Sequence, residues 1–236
     1  MPLTLYYFDI PGRAEAARLL LTLGGVEFVD KRFSFAEWPA IKPSMPFQQV
    51  PVLQLEDGRM LAEMAAIDRY CAAITAVLPA DPFVLADIEQ AYFFMEDVYQ
   101  PLTPVMTMER SPTATAEQKA AAYQEVLQPE GPFKQRLALL DKWLAKRWDA
   151  SSPGQFLAGP QLTHVDLVLF ATLSALRSGW ISGLPRDILA AYPALARFRN
   201  AVAAAPGVAA YYTKEEDEVR RAGFRTDNAA AAEAPA

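Results

Sequence analysis

Cysteine and histidine are almost missing from this 236-residue chain, which has one of each, Cys71 and His164. A single thiol cannot close an internal disulfide, so nothing in the chain calls for an oxidising compartment. No Cys-x-x-Cys pair is present for thiol–disulfide exchange. The one imidazole offers neither a Ser-His-Asp triad nor a histidine cluster for a metal, and no metal site is expected. Positive charge is also short: 22 Lys and Arg against 28 Asp and Glu leave a net charge of −6. That balance lacks the basic footprint of a nucleic-acid binder and the polybasic patch of a membrane-surface protein. No apolar run reaches the roughly 20 residues of a membrane span. Met1 to Leu5 has no basic stretch leading into an apolar segment, so no secretory signal is read. A soluble, cytoplasmic protein with no nucleic-acid or membrane partner is the expectation.

Apolar material and local punctuation are plentiful. Hydrophobic residues make up 52% and charged residues 21%, a composition able to build a packed core in one large domain or two small ones. Thr4 to Phe8 is β-branched and aromatic and predicts a strand, stopped by the turn cluster Asp9-Ile10-Pro11-Gly12. Arg13 to Leu23 predicts a helix with Ala16, Leu20 and Leu23 on one face, closed by Gly24-Gly25. Val26 to Phe33 and Val50 to Leu55 predict strands, and Glu56-Asp57-Gly58-Arg59 turns the latter into a short fourth, Met60-Leu61. Glu63 to Ile74 predicts a helix with Ile67, Tyr70, Cys71 and Ile74 on its apolar face. This order implies a mixed sheet with helices packed on it.

Beyond a linker at Pro79-Ala80-Asp81-Pro82 the pattern is helical. Val84 to Met108 is one stretch that Pro101 and Pro104 should bend or break. Thr115 to Leu127 carries a capping box with Gln118, and Phe133 to Trp148 has Leu137, Leu140, Leu144 and Trp148 at helical spacing. Thr163 and Asp166 form a second capping box, with His164 inside it, before the apolar run Leu167 to Leu176. Tyr192 to Ala205 is a last helix, ended by Pro206-Gly207, and the alanine-rich stretch Thr226 to Ala236 reads as disordered. The fold class is therefore an α/β N-terminal domain followed by an all-α C-terminal domain.

Tyr7-Phe8-Asp9-Ile10-Pro11-Gly12-Arg13-Ala14-Glu15 resembles the first strand and helix of the tyrosine-type soluble glutathione S-transferases, the sigma class above all. Trp38-Pro39-Ala40-Ile41-Lys42, then Met45-Pro46-Phe47-Gln48-Gln49-Val50-Pro51, resembles that class's glutathione-binding loop. Glu63 to Tyr70 resembles the segment that grips the γ-glutamyl end, and Leu157-Ala158-Gly159 before Thr163 resembles the lead-in to the family's capping box. The likeness runs over residues 3 to 212. It implies a thioredoxin-like glutathione-binding domain over residues 1–77, a helical domain over 84–212 and a tail over 213–236.

By this resemblance glutathione is the co-substrate, with no metal. Tyr7, with Phe8 beside it, donates to the glutathione sulfur and so favours the thiolate, which is the nucleophile. Tyr6 points to the other face of the strand. Arg13 helps organise the site. Trp38 and Lys42 meet the glycine end, Lys42 by charge. Gln49, Val50 and a cis Pro51 hold the cysteinyl backbone as an added strand would. Glu63 meets the γ-glutamyl ammonium, and the helix N-terminus at residues 63–64 meets its carboxylate. Asp97 reaches the same ammonium across a homodimer interface, with Glu96 the adjacent alternative. Met64 departs from the family, which has serine there, so one hydroxyl contact to the carboxylate is lost. The implied activity is attack of the glutathione thiolate on small hydrophobic electrophiles, as in detoxification, with Tyr99, Met106 and Met108 as candidates to line the acceptor site. The alternatives are a glutathione-dependent isomerase of the prostaglandin type and a non-catalytic binding or structural protein.

Overall fold

The computed structural model describes residues 2–148, 156–214 and 223–227. Strand β1 (Leu3–Phe8) alternates strictly, with Leu3, Leu5 and Tyr7 buried and Thr4, Tyr6 and Phe8 half-buried. One face of the strand thus delivers Tyr7 inward at its last buried position. β1 pairs in parallel with β2 (Phe28–Phe33), a pairing that needs a crossover, here α1 (Glu15–Leu23). After the short α2 (Trp38–Ile41), β3 (Val52–Gln54) runs antiparallel to β1 and to β4 (Met60–Ala62), giving the sheet order β2-β1-β3-β4. Arg18 of α1, fully buried, holds the turn after β1 by donating to the carbonyls of Ile10 and Pro11 at 3.0 Å each, while pairing with Glu15 and Asp30. A buried guanidinium is tolerated because Nε and Nη1 are shared out over carboxylates and carbonyls, although Nη2 has no hydrogen-bond partner among the described residues.

Helix α3 (Met64–Ile74) closes the α/β part, and its buried face keeps Ile67 and Cys71 of the expected one but not Tyr70 or Ile74. Ile67, Asp68, Cys71 and Ala72 are buried, whereas Ile74 is 42% exposed. The helix packs against α1 on one side and, across to the helical part, against α8 (His164–Arg177). Burial from two sides rotates the buried stripe past what apolar spacing marks. The lone thiol of Cys71 is fully buried there, and burial pushes its pKa up to about 12, so it is inert.

The helical part contains α4 (Pro82–Tyr99), α5 (Leu102–Glu109), α6 (Ala116–Val126), α7 (Pro132–Arg147), α8, α9 (Pro193–Ala203) and α10 (Pro206–Lys214). The break between α4 and α5 falls at Gln100-Pro101. Pro104 does not break α5, because it sits in the first turn, where no intrahelical donor is lost. Both expected capping boxes are present, Thr115 with Gln118 and Thr163 with Asp166. Asp166 also accepts from the Leu157 amide at 2.8 Å, tying the chain before α8 to its N-terminus. α8 is buried along almost its whole length and forms the centre of this layer.

Two expectations about the C-terminal region need correction. Pro206 ends α9 but also begins α10, since proline suits a first helical turn. The stretch read as disordered begins with ordered residues. Asp227 pairs with Arg177 and accepts from Asn200 Nδ2 at 2.6 Å, and just before it Phe224 is fully buried, stacked 4.9 Å from Tyr212. The buried guanidinium of Arg199 demands acceptors and finds one in the Gly223 carbonyl at 2.6 Å, a need invisible in alanine-rich composition. Residues 228–236 of that expectation lie outside the described residues.

Candidate active site

The site is built around the hydroxyl of Tyr7. Past β1, Gly12 adopts φ +47°, and a Cβ on it would sit 2.7 Å from both Cε1 and Oη of Tyr7. Only glycine allows both that backbone conformation and that approach. The turn then aims the Arg13 amide at the tyrosine, and this N–H donates to Tyr7 Oη at 3.0 Å. With the oxygen's acceptor side taken by a backbone donor, the phenolic O–H is left to donate elsewhere. Burial pushes the Tyr7 pKa above its ordinary value, against the pull of the Arg13 amide and of the Arg13, Arg18 and Arg110 guanidinium groups. Tyr7 therefore keeps its proton at neutral pH, leaving its O–H free to donate.

Tyr7 opens onto a cleft of about 260 Å³ between the α/β and helical parts. Phe8, Ile10, Gly12 and Arg13 form its first wall. Tyr99, Thr103, Met106, Thr107 and Arg110 form the second, one helical face carried across the α4–α5 break, and Trp180 completes the lining. Tyr99 and Met106 thus lie where they were expected. Met108 does not: it falls off this face and is exposed. Helical spacing from Tyr99 would have reached Arg110. Trp180 follows α8 in irregular backbone and carries no such signal.

The remaining sequence candidates divide into three places. Phe8 and Trp38 share an aromatic cluster, with Trp38 stacked on Phe33 at 5.8 Å and edge-on to Phe8 at 5.5 Å. From there Lys42 and Gln49 border an open groove along the loop. Lys42 is exposed and pairs with no carboxylate among the described residues. The Val50–Pro51 bond is cis, and the Val50 amide has no backbone partner among the described residues. Glu63, exposed at φ +71°, precedes α3, whose first amides have no side-chain cap. Uncapped amides at a helix start attract an anion.

Met64 begins α3, is half-buried, and lines a pocket with Arg13, Glu96 and Tyr99. Arg13 Nη2 pairs with Glu96 Oε2 at 2.7 Å, a contact that sequence reasoning did not anticipate. Asp97 is not brought to this cleft. It lies exposed on α4, where its carbonyl accepts from Arg136 Nη1 at 2.6 Å.

Comparison with known proteins points to one family. Residues 3–73 match the glutathione S-transferase N-terminal domain family, and residues 96–215 match its C-terminal domain family. Glutathione S-transferase 1 of Ascaris suum is 32% identical over 206 residues, 86% of this chain and 92% of the relative. A hematopoietic prostaglandin D synthase of Gallus gallus is 29% identical, covering 89% of this chain and 94% of the relative. Among solved structures, the glutathione S-transferase of Ascaris lumbricoides superposes with a TM-score of 0.74 at 29% identity, over 92% of this chain and 98% of that one. Two family domains in the expected order, and relatives matched nearly end to end, show that this chain belongs to the glutathione S-transferase family.

Proposed function

We propose that the chain is a glutathione transferase of the sigma type, with residues 1–77 as its glutathione-binding domain and 84–212 as its helical domain. The observation that carries this reading is Tyr7, buried, fixed by the Arg13 amide and lining a cleft between the two domains. Glutathione lies along the loop, its glycine carboxylate at Lys42 and Trp38, its cysteinyl backbone at Gln49, Val50 and Pro51, and its γ-glutamyl end at Glu63 and the α3 amides. Phe8 packs beside the thiol. The Tyr7 O–H donates to the sulfur and lowers the thiol pKa from about 8.5, releasing the proton to water. The sulfur lone pair then forms a C–S bond at the electrophilic carbon as the leaving group departs with its electrons, or as a double bond takes them up. A cytoplasmic detoxifying role accords with this chemistry. Glutathione-dependent isomerisation is the second reading, favoured by the likeness to a prostaglandin D synthase.

A homodimer belongs to the same reading. Phe47 is 76% exposed, and an apolar groove of about 300 Å³ lies on α4 and α7, lined by Phe94, Leu139, Leu140 and Trp143 among others. Apolar surface of this kind asks for a partner, here a second copy, to whose site Asp97 would turn. Sedimentation equilibrium should return twice the chain mass, and a strictly monomeric protein would refute the dimer.

Met64 tests the donor site. Serine at this position restores a hydroxyl to the γ-glutamyl carboxylate. One hydrogen bond to a charged group is worth about 1.5–3 kcal/mol, or roughly ten- to a hundred-fold in affinity. Calorimetric titration of glutathione should show Met64→Ser binding tighter than wild type, and the wild type should turn over 1-chloro-2,4-dinitrobenzene. If neither protein binds glutathione, the donor site is not where this reading puts it.

A further inference from the structure

Two guanidinium groups reach the acceptor cleft, and they differ in what neutralises them. Arg13 is matched by Glu96 at 2.7 Å. Arg110, at the end of α5, has no carboxylate within ion-pair distance among the described residues, and its side chain is exposed. Its head is nonetheless placed: the guanidinium carbon lies 4.8 Å from the ring centroid of Phe35, on the loop after β2. A cation stacked on an aromatic face is oriented without being discharged. Its field reaches the cleft floor, where it helps hold down the phenols of Tyr7 and Tyr99 against the upward push of burial. Around it the cleft is otherwise apolar or neutral, through Ile10, Met106, Thr107 and Trp180.

We propose that this cleft selects acceptors that join an apolar, electrophilic body to an anionic group, a carboxylate above all, with Arg110 as the residue that recognises the anion. The apolar body lies against Ile10, Met106 and Trp180, and the carboxylate meets Arg110 at the mouth. The reacting carbon is then presented to the sulfur held at Tyr7. A guanidinium fork matches a carboxylate in shape as well as charge. This inference rests on the transferase reading only in treating the cleft's ligand as a substrate, and binding can be measured without that assumption.

The probes are 3,5-dinitrobenzoate and its methyl ester, which lack a leaving group and differ in one charge. Their binding is followed by quenching of tryptophan fluorescence, with S-methylglutathione present to fill the donor site. Wild type should bind the acid about five-fold more tightly than the ester, the effect of one partly exposed ion pair. R110Q should bind the two alike, and R110K, which keeps the charge, should retain part of the preference. A preference that survives in R110Q overturns the proposal. So does equal weakening of both ligands in R110Q, which would make Arg110 a packing residue, and so does a wild type that takes neither probe. Turnover of 4-chloro-3,5-dinitrobenzoate, in which C–S forms at C4 and chloride leaves, is read separately. An Arg110-dependent preference without conjugate sinks the transferase reading alone, and conjugate without the preference sinks this inference alone.

Discussion

Phenylalanine at position 7 is expected to lower kcat/KM for conjugation about ten- to a hundred-fold near neutral pH while leaving the fold intact. The ring of Tyr7 is what the structure packs. It meets Phe8 edge-on at 5.5 Å and lies under the Arg18 guanidinium at 5.9 Å, contacts that phenylalanine keeps. Only the hydroxyl is lost, and with it the acceptor of the Arg13 amide. That orphaned N–H costs about 1 kcal/mol of stability, too little to unfold the domain. The kinetic loss has a pH signature. On the proposed mechanism the wild type lowers the bound thiol's pKa, so thiolate is expected at neutral pH. In Tyr7→Phe the thiol returns to about 8.5 and needs alkali. The deficit should therefore be widest at low pH and should narrow above about pH 8.5. A pH–rate profile of both proteins checks this. A deficit that stays constant with pH would assign Tyr7 to positioning, and no deficit would remove it from the mechanism.

Asp68 should make the protein lose stability as pH rises, by on the order of 5 kcal/mol between about pH 4 and 8. The residue is fully buried on α3, with no ion pair to it among the described residues. Its Oδ2 accepts from the Tyr92 hydroxyl at 3.0 Å, and its Oδ1 has no partner. Burial therefore outweighs the one hydrogen bond and raises its pKa from 3.8 to about 8. The folded state keeps a proton across that window which the unfolded chain has released. Unfolding releases a proton, and rising pH favours it. The loss begins near the unfolded pKa and is complete above the folded one. Neighbouring groups also titrate. Burial holds His164 below its ordinary value, so its contribution runs the other way through its own range. Comparison with Asp68→Asn isolates the aspartate, since the amide keeps shape and an acceptor for Tyr92 but cannot ionise. Urea midpoints should nearly coincide at about pH 5 and separate at about pH 9, with the variant more stable. Parallel curves across that range would show that Asp68 finds a partner when charged.

The site was legible unevenly. Tyr7 and Arg13 line one cleft, because strand alternation and a turn of a few residues place them relative to one another, and Met64 lies beside Arg13 in an adjoining pocket. Asp68 was hidden by the same local logic. Apolar spacing over residues 63–74 pointed to Ile74, yet packing from α1, α4 and α8 decided which stripe went inside. The tail was misread for a related reason, since Asp227 is held by Arg177, Arg199 and Asn200, residues that composition does not connect to it.

What the sequence determined by itself was everything governed by neighbours within about one turn or one strand: the alternation of β1, both capping boxes, the break at Pro101 and the Gly12 turn. Tertiary structure alone decided what sits opposite what. It set Glu96 against Arg13, Phe35 under Arg110 and Trp180 in the same cleft lining as Tyr7. Hydrogen-bond geometry and side-chain periodicity act over a few residues and leave a trace in local spacing. Contacts that close long loops are selected by the burial of whole faces, and no short stretch of sequence records its partner.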